Sequence, residues 1–465
     1  MAKIAPLTDI LRHDILSLNF TITVKIPKTH KRRSIVNNLK YGYTEGEYKK
    51  FSSHGWRYLL LFSFLYCAHY CTRLNLGNAQ VAMTEFTSED IGIITSTLFW
   101  SYGIGHLING RLGEVFGVRL FIILSVILSI AANIVMGFQS SILAMAIVWG
   151  FNGFFQSMAW SPGVSSLAAW WPGDKRGFAT GFANAFSGFG QVVATLMVTL
   201  SFVLLPNLGW RSAFWIPAIL PAVVLVLYIL FAKAGPKSIG LKDYEEADAK
   251  RAEQETEMTR IVKEKDFLYP YIHLLKNPTF LVWIFIIFSA GLARYGLVTW
   301  IPKYLKEEAG LGNTVSLLTS TILPIGMGIG TLVVPTLTDK FCPNNRLLAG
   351  IVSGIASAVC VLGFMLLEPV GFQFVLMMIL LFFAGFFIYA INGTVWTYAT
   401  DVGGRVFAST ATGILDFAAY AGAAIQAVIF GFMLTNGSWN VVFLTTAALC
   451  LCIAALSFWH ARKKH

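Results

Sequence analysis

From Trp56 onward the chain alternates apolar runs of about 20 residues with shorter polar intervals. A run of that length, wound at 1.5 Å per residue, crosses a hydrocarbon core about 30 Å thick, so each run predicts a membrane-spanning helix. The runs fall at 56–83, 90–110, 119–138, 142–168, 178–204 and 212–233, then at 278–304, 314–334, 346–367, 372–399, 407–434 and 439–460. Between the two sets lies 234–277, a polar stretch with Lys242-Asp243-Tyr244-Glu245-Glu246 and a charged helical pattern from Ala247 to Lys265. The pattern predicts an all-α integral membrane protein with twelve transmembrane helices in two pseudo-symmetric six-helix bundles. Its parts are a basic arm (1–55), an N-terminal bundle (56–233), a linker (234–277), a C-terminal bundle (278–460) and a tail (461–465).

Composition agrees. Hydrophobic residues make up 56% of the chain and charged residues only 13%, against about 25% charged in soluble domains. The formal charge of +11 sits in particular segments: Lys31-Arg32-Arg33 in the arm, Arg111, Arg119, Lys175, Arg176, Lys340, Arg346, Arg405 and Arg462-Lys463-Lys464. All of these fall on one side of the predicted helices, so the excess reads as membrane topology rather than as nucleic-acid binding. Both termini are expected in the cytoplasm of a cell (inner) membrane, with lipid as the surrounding partner and the chain a monomer. The arm lacks the apolar core and cleavage site of a signal peptide. Five of the six cysteines lie in apolar runs and read as small core fillers.

Two charges break the apolar pattern. Arg73 lies about 16 residues beyond Arg57 in the first run, and Arg294 about 16 beyond Pro278 in the seventh, a matched depth of roughly 24 Å along each helix. A charge at that depth costs at least about 2.5 kcal/mol, so it marks a functional site by default. Tyr66, His69, Tyr70 and Arg73 share one helical face at i, i+3, i+4 and i+7. Two guanidiniums facing one cavity repel each other unless an anion lies between them, and their planar forks suit phosphate. The alternative is that each pairs with a buried acid, for which Asp416 in the eleventh run is the candidate.

Around this pair, Tyr66, Tyr70 and Tyr102 could offer hydroxyls to the anion or simply pack. His106, one turn after Tyr102, is a packing residue or a substrate or proton ligand. Asn392, Tyr389 and Tyr398 in the tenth run and Tyr420 in the eleventh are picked from polarity alone. Asp416 could carry a proton, balance an Arg or contact a substrate hydroxyl. Gly110, Glu114 and Arg119 after the second run, with Asp339 in the corresponding place after the eighth, read as a cytoplasmic gate motif. No Gly-Lys pair, His-Glu-x-x-His pattern, CxxC pair or Gly-x-Ser-x-Gly elbow occurs, so the sequence points to no ATP hydrolysis, metal, cofactor or enzymatic site and to a gradient as the energy source.

The two halves, the long central loop and the stretch Gly110 to Arg119 resemble the major facilitator superfamily. Within it the chain resembles the organophosphate:phosphate antiporters, the glycerol-3-phosphate and hexose-6-phosphate transporters. The carriers are Tyr66-x3-Tyr70-x2-Arg73-x-Asn75, Tyr102-Gly103, Trp160-Ser161-Pro162, Trp170-Trp171, Lys175-Arg176-Gly177 with Asn184, Arg294-Tyr295-Gly296 and Trp300-x-Pro302-x-Tyr304-Leu305-Lys306. The resemblance implies that Arg73 and Arg294 hold a phosphate and that a phosphorylated metabolite is exchanged for inorganic phosphate by alternating access. The chain departs from the family at Leu74, His106, Ala169, Ala183 and Ser187, where cationic or aromatic residues are usual. Two other functions fit the sequence: a proton-coupled symporter of a carboxylate or sulfonate, with Asp416 and His106 as proton sites, and a transporter-like sensor of sugar phosphate.

Overall fold

The computed structural model describes residues 40–245, 260, 268–341 and 347–463. These residues form helices and short connections. The first helix, α1 (Glu45–His69), starts where Thr44 accepts the Glu47 amide and Glu47 reaches back to the Thr44 amide, a reciprocal cap that fixes the start of the helix. It is followed by a single 3-10 turn at Tyr70–Thr72 and a short α2 (Asn75–Ala79). Then come α3 (Ser88–Phe116), α4 (Val118–Met136), α5 (Ile142–Trp170), α6 (Gly173–Leu204) and α7 (Ser212–Phe231). Within the linker lies α8 (Tyr269–Leu275), and after it follow α9 (Pro278–Glu307), α10 (Asn313–Ser320), α11 (Ile322–Phe341), α12 (Leu347–Met365), α13 (Gly371–Asn436) and α14 (Trp439–Lys463).

Among the described residues eleven helical stretches are long and apolar enough to cross a membrane. The first predicted span is not one of them, because its apolar part, from Trp56 onward, leaves regular helix after His69. By length α1 still suffices: 25 residues extend about 37 Å. The predicted tenth and eleventh spans form one run of helical hydrogen bonding, α13. On a straight helix Tyr389 and Tyr420 would stand about 46 Å apart. Instead, Tyr389 packs on the Arg294 guanidinium and Tyr420 on neighbouring Tyr295, so α13 doubles back between them.

The two halves meet along two lines. On one, α3 lies against the second limb of α13, with Gly92 beneath the Ala427 carbonyl and Gly103 beside Phe417 and Tyr420. On the other, α6 crosses α11 where Gly188 and Gly328 touch: a methyl group on Gly188 would come within 2.8 Å of the Gly328 Cα. Both lines depend on absent side chains, the usual device for close helix approach in membranes. At the end of the bundle where α2 meets the C-terminal part of α9, polar bonds join the halves. Gln80 Nε2 donates to the Thr299 carbonyl, Lys306 Nζ to the Val81 carbonyl and Lys303 Nζ to Ser88 Oγ.

Candidate substrate site

The break after His69 exposes carbonyls that a continuous helix would use, and neighbouring helices take them up. The His69 carbonyl accepts from Thr72 Oγ1 at 3.0 Å and Gln156 Nε2 at 3.2 Å. The Thr72 carbonyl accepts from Asn133 Nδ2 at 2.9 Å and Asn152 Nδ2 at 2.8 Å. Ser129 and Asn75 complete the network: Ser129 Oγ donates to Asn152 Oδ1 at 2.7 Å, and Asn75 Nδ2 to Asn133 Oδ1 at 2.7 Å. In a low-dielectric interior such groups are tolerated only when partnered, so this network is what allows the first span to depart from a helix.

Arg73 is the product of that break. Its backbone (φ −114°, ψ −49°) lies off the regular helix, so the shared face expected for Tyr66, His69, Tyr70 and Arg73 does not extend to the Arg as a helical stripe. The His69 ring is buried with both nitrogens unpartnered. Gln156 Oε1 accepts the Arg73 Nε–H at 3.2 Å, which orients the guanidinium and leaves both terminal nitrogens without hydrogen bonds. Tyr70 and Tyr102 lie 4.4 Å from its centre and Tyr66 5.6 Å. The tyrosines thus act through their rings: contact with the ring face stabilises a desolvated guanidinium while leaving its in-plane N–H groups free for an anion.

Arg294 reaches a similar state by a different route. It sits within the unbroken α9, 7% exposed, with Tyr389 at 4.1 Å and Tyr295 at 4.5 Å from its guanidinium carbon. Its Nε and one terminal nitrogen have no hydrogen-bond partner. Ser187 of α6 and Tyr389 of α13 bond through their hydroxyls at 2.7 Å, so this ring is held from the opposite half. The chain of rings Tyr102, Tyr420 and Tyr295 runs from one guanidinium to the other, with centroids 4.3 and 5.7 Å apart and the Tyr295 hydroxyl donating to that of Tyr420 at 3.2 Å.

Asp416 does not pair with either Arg. The ionisable side chain beside it is His106, whose Nδ1 is 3.9 Å from Asp416 Oδ2 and 3.2 Å from Ser161 Oγ. His106 also meets the Tyr102 ring edge-on at 4.5 Å. Asn392 is buried one turn beyond Tyr389, and no hydrogen bond joins it to either guanidinium among the described residues. Tyr398 stands apart, stacked on Trp283 at 4.9 Å. Of the gate motif, Arg119 donates to the Ile229 carbonyl and ties α4 to the end of α7; Gly110, Glu114 and Asp339 lie outside the described side chains. Cys67, Cys71, Cys360 and Cys450 are buried free thiols, as expected of core fillers, but Cys452 is exposed on α14; Cys342 lies outside the described residues.

Sequence reasoning missed Ser129, Asn133, Asn152 and Gln156. The signal was present: two i, i+4 pairs of polar residues inside the apolar runs 119–138 and 142–168.

A family model, the Major Facilitator Superfamily, matches residues 62–427. The chain belongs to this superfamily. The major facilitator chain is 28% identical over 417 residues to the glycerol-3-phosphate transporter of Bacillus subtilis (strain 168), covering 86% of this chain and 91% of that one. It is 27% identical over 432 residues to a probable hexose phosphate transport protein of Chlamydia pneumoniae, covering 88% and 92%. These relatives bear out the organophosphate:phosphate antiporter resemblance carried by the motifs. Among solved structures, a bacterial homologue of the human lysosomal transporter Spinster, inward-facing and occupied, superposes with a TM-score of 0.65 at 15% identity, covering 88% of this chain and 97% of that one. That likeness is one of fold. The major facilitator chain is a multi-pass membrane transporter with phosphate-linked relatives.

Proposed function

We propose that the protein exchanges a phosphorylated metabolite, a sugar phosphate or glycerol phosphate, for inorganic phosphate by alternating access of one central site. The observation that carries this reading is the pair of buried guanidiniums, ring-packed on their faces, with both terminal nitrogens of Arg73 and the Nε and one terminal nitrogen of Arg294 unpartnered. Arg73 and Arg294 hold the phosphate, with Tyr66, Tyr70, Tyr102 and Tyr389 supporting them and His106 and Asn392 at the margin of the site. Neutralising both charges draws residues 56–233 and 278–460 together and lowers the barrier to reorientation. We place both termini in the cytoplasm of a bacterial-type inner membrane.

The test is uptake of labelled glycerol-3-phosphate and glucose-6-phosphate by proteoliposomes loaded with phosphate. Arg73→Lys and Arg294→Lys should each lower uptake at least about 10-fold, since an ammonium cannot reproduce the bidentate fork. Normal uptake by both variants would sink the clamp, and failure of the purified wild-type protein to transport would favour a sensor.

The His106–Asp416 pair supports a second reading, proton-coupled symport of an organic anion, because it joins α3 to α13 across the halves. Collapsing the proton gradient separates the two: exchange persists with internal phosphate present, whereas symport stops.

A further inference from the structure

The linker is tied to both halves. Its start is fastened to the N-terminal half, where Lys50 Nζ donates to the Ile239 carbonyl at 2.9 Å and the Tyr244 hydroxyl to the Ala168 carbonyl at 2.8 Å. Its end, α8, docks on the C-terminal half, where Leu274 is buried in a core with Phe280, Trp283 and Leu415. Leu107 of α3, in the opposite half, packs against this same core together with Tyr269 and Tyr271. The Tyr271 hydroxyl donates to the Leu107 carbonyl at 3.3 Å. Leu107 directly follows His106, and a Cβ on Gly413 of α13 would meet the His106 carbonyl at 3.6 Å. α8 therefore clasps α3 to the C-terminal half at the end opposite the bonds of Gln80, Lys303 and Lys306.

The other side of α8 is apolar and open. Leu268, Ile272 and Leu275 are 59%, 50% and 44% exposed, and their spacing of i, i+4 and i+7 puts them on one face. They lead into Leu281 and Phe285, exposed on the first turns of α9, which is long and apolar enough to cross a membrane. Exposed Lys276 stands between the two helices, where its ammonium can reach the phosphates of lipid headgroups. An apolar face continuous with a lipid-facing span and edged by a cation fits the boundary between headgroups and acyl chains. We propose that α8 is an interfacial latch: its outer face is seated on lipid, and Tyr271 holds the halves together at the linker end. For that end to open, Tyr271 releases Leu107 while α8 stays with the C-terminal half, anchored by Leu274 inside and by lipid outside. A single half-buried hydrogen bond suits this task, because its net contribution is small enough to break and re-form in each cycle.

The experiment uses the full chain carrying Cys342→Ser and Cys452→Ser, in vesicles of phosphatidylethanolamine and phosphatidylglycerol. A nitroxide on Ile272→Cys should collide more with oxygen, which concentrates in lipid, than with a water-soluble nickel chelate; one on exposed Lys237→Cys should show the reverse. Preference for nickel at Ile272 would put the face in water, and protection from both reagents would put it under protein; either result overturns the lipid seat. Nitroxides on Lys237→Cys and Lys276→Cys together report the separation of the halves at the linker end, by pulsed electron–electron resonance. Tyr271→Phe keeps the ring and removes the donor, and should raise the ratio of long to short distances about 2- to 10-fold. Gln80→Leu, which loosens the far end, should give no such rise. An unchanged distribution in Tyr271→Phe would overturn the latch, and an equal rise in Gln80→Leu would replace it with general loosening. None of these outcomes bears on the phosphate clamp, because no transport is measured.

Discussion

Gln156 accepts the Nε–H of Arg73 at 3.2 Å while its own amide nitrogen donates to Ser129 Oγ at 2.7 Å and Thr72 Oγ1 at 2.9 Å. One uncharged side chain therefore both aims the guanidinium and secures the helix break that carries it.

Gln156→Leu removes both actions and leaves the Arg73 Nε–H and neighbouring hydroxyls without their partner. We expect a stability loss of about 1–3 kcal/mol, read from thermal unfolding in detergent, together with a rise in KM for phosphate. An unchanged melting temperature with unchanged KM would show that the network does not hold the site.

Tyr389 acts on Arg294 through its ring, 4.1 Å from the guanidinium carbon, and separately through its hydroxyl bond to Ser187. Tyr389→Phe keeps the first contact and Tyr389→Leu keeps neither. A desolvated cation–π contact contributes roughly 2 kcal/mol, so KM for phosphate should rise about 10- to 30-fold in the Leu variant and less than about 3-fold in the Phe variant. Equal losses would assign the effect to the hydroxyl instead.

The Gly188–Gly328 crossing is asymmetric. A Cβ on Gly188 meets the Gly328 Cα at 2.8 Å, whereas a Cβ on Gly328 finds its nearest neighbour, the Gly188 Cα, at 4.0 Å. Backbone cannot yield as a flexible side chain can. Gly188→Ala should disfavour this arrangement of the halves and cut uptake several-fold, with Gly328→Ala close to wild type; the reverse order would mean that the crossing opens during rate-limiting steps.

Outside the membrane, Tyr43 donates its hydroxyl to the Lys242 carbonyl and fastens the start of the linker to the base of α1. Burial, followed by the negative charges of Asp243 and Glu47, raises its pKa to about 12. The folded value thus lies above the ordinary value near 10, so the contribution is complete below about pH 10 and is lost as pH rises through 12. Protection of the amides of residues 40–44, taken relative to the intrinsic exchange rate at each pH, should fall across that window in the wild type. Tyr43→Phe should show lower protection below pH 10 and no fall across the window; an identical profile of protection against pH would remove Tyr43 as the cause.

The hydrophobic pattern by itself determined the membrane class and the long apolar helices, because in hydrocarbon a backbone can satisfy itself over a span only by helix formation. The two intramembrane arginines were equally legible, since a charge amid 20 apolar residues has no neutral explanation. Helical periodicity could not reveal that the first span breaks after His69: the partners that make the break affordable, Asn133, Asn152 and Gln156, come from other helices. Nor could the sequence decide between Arg73 and His106 as the neighbour of Asp416, or show that tyrosine rings rather than hydroxyls meet the guanidiniums. Length and hydropathy are properties of one segment. Which polar group meets which is settled only when several segments pack, because each buried group must find its partner among side chains remote in the chain.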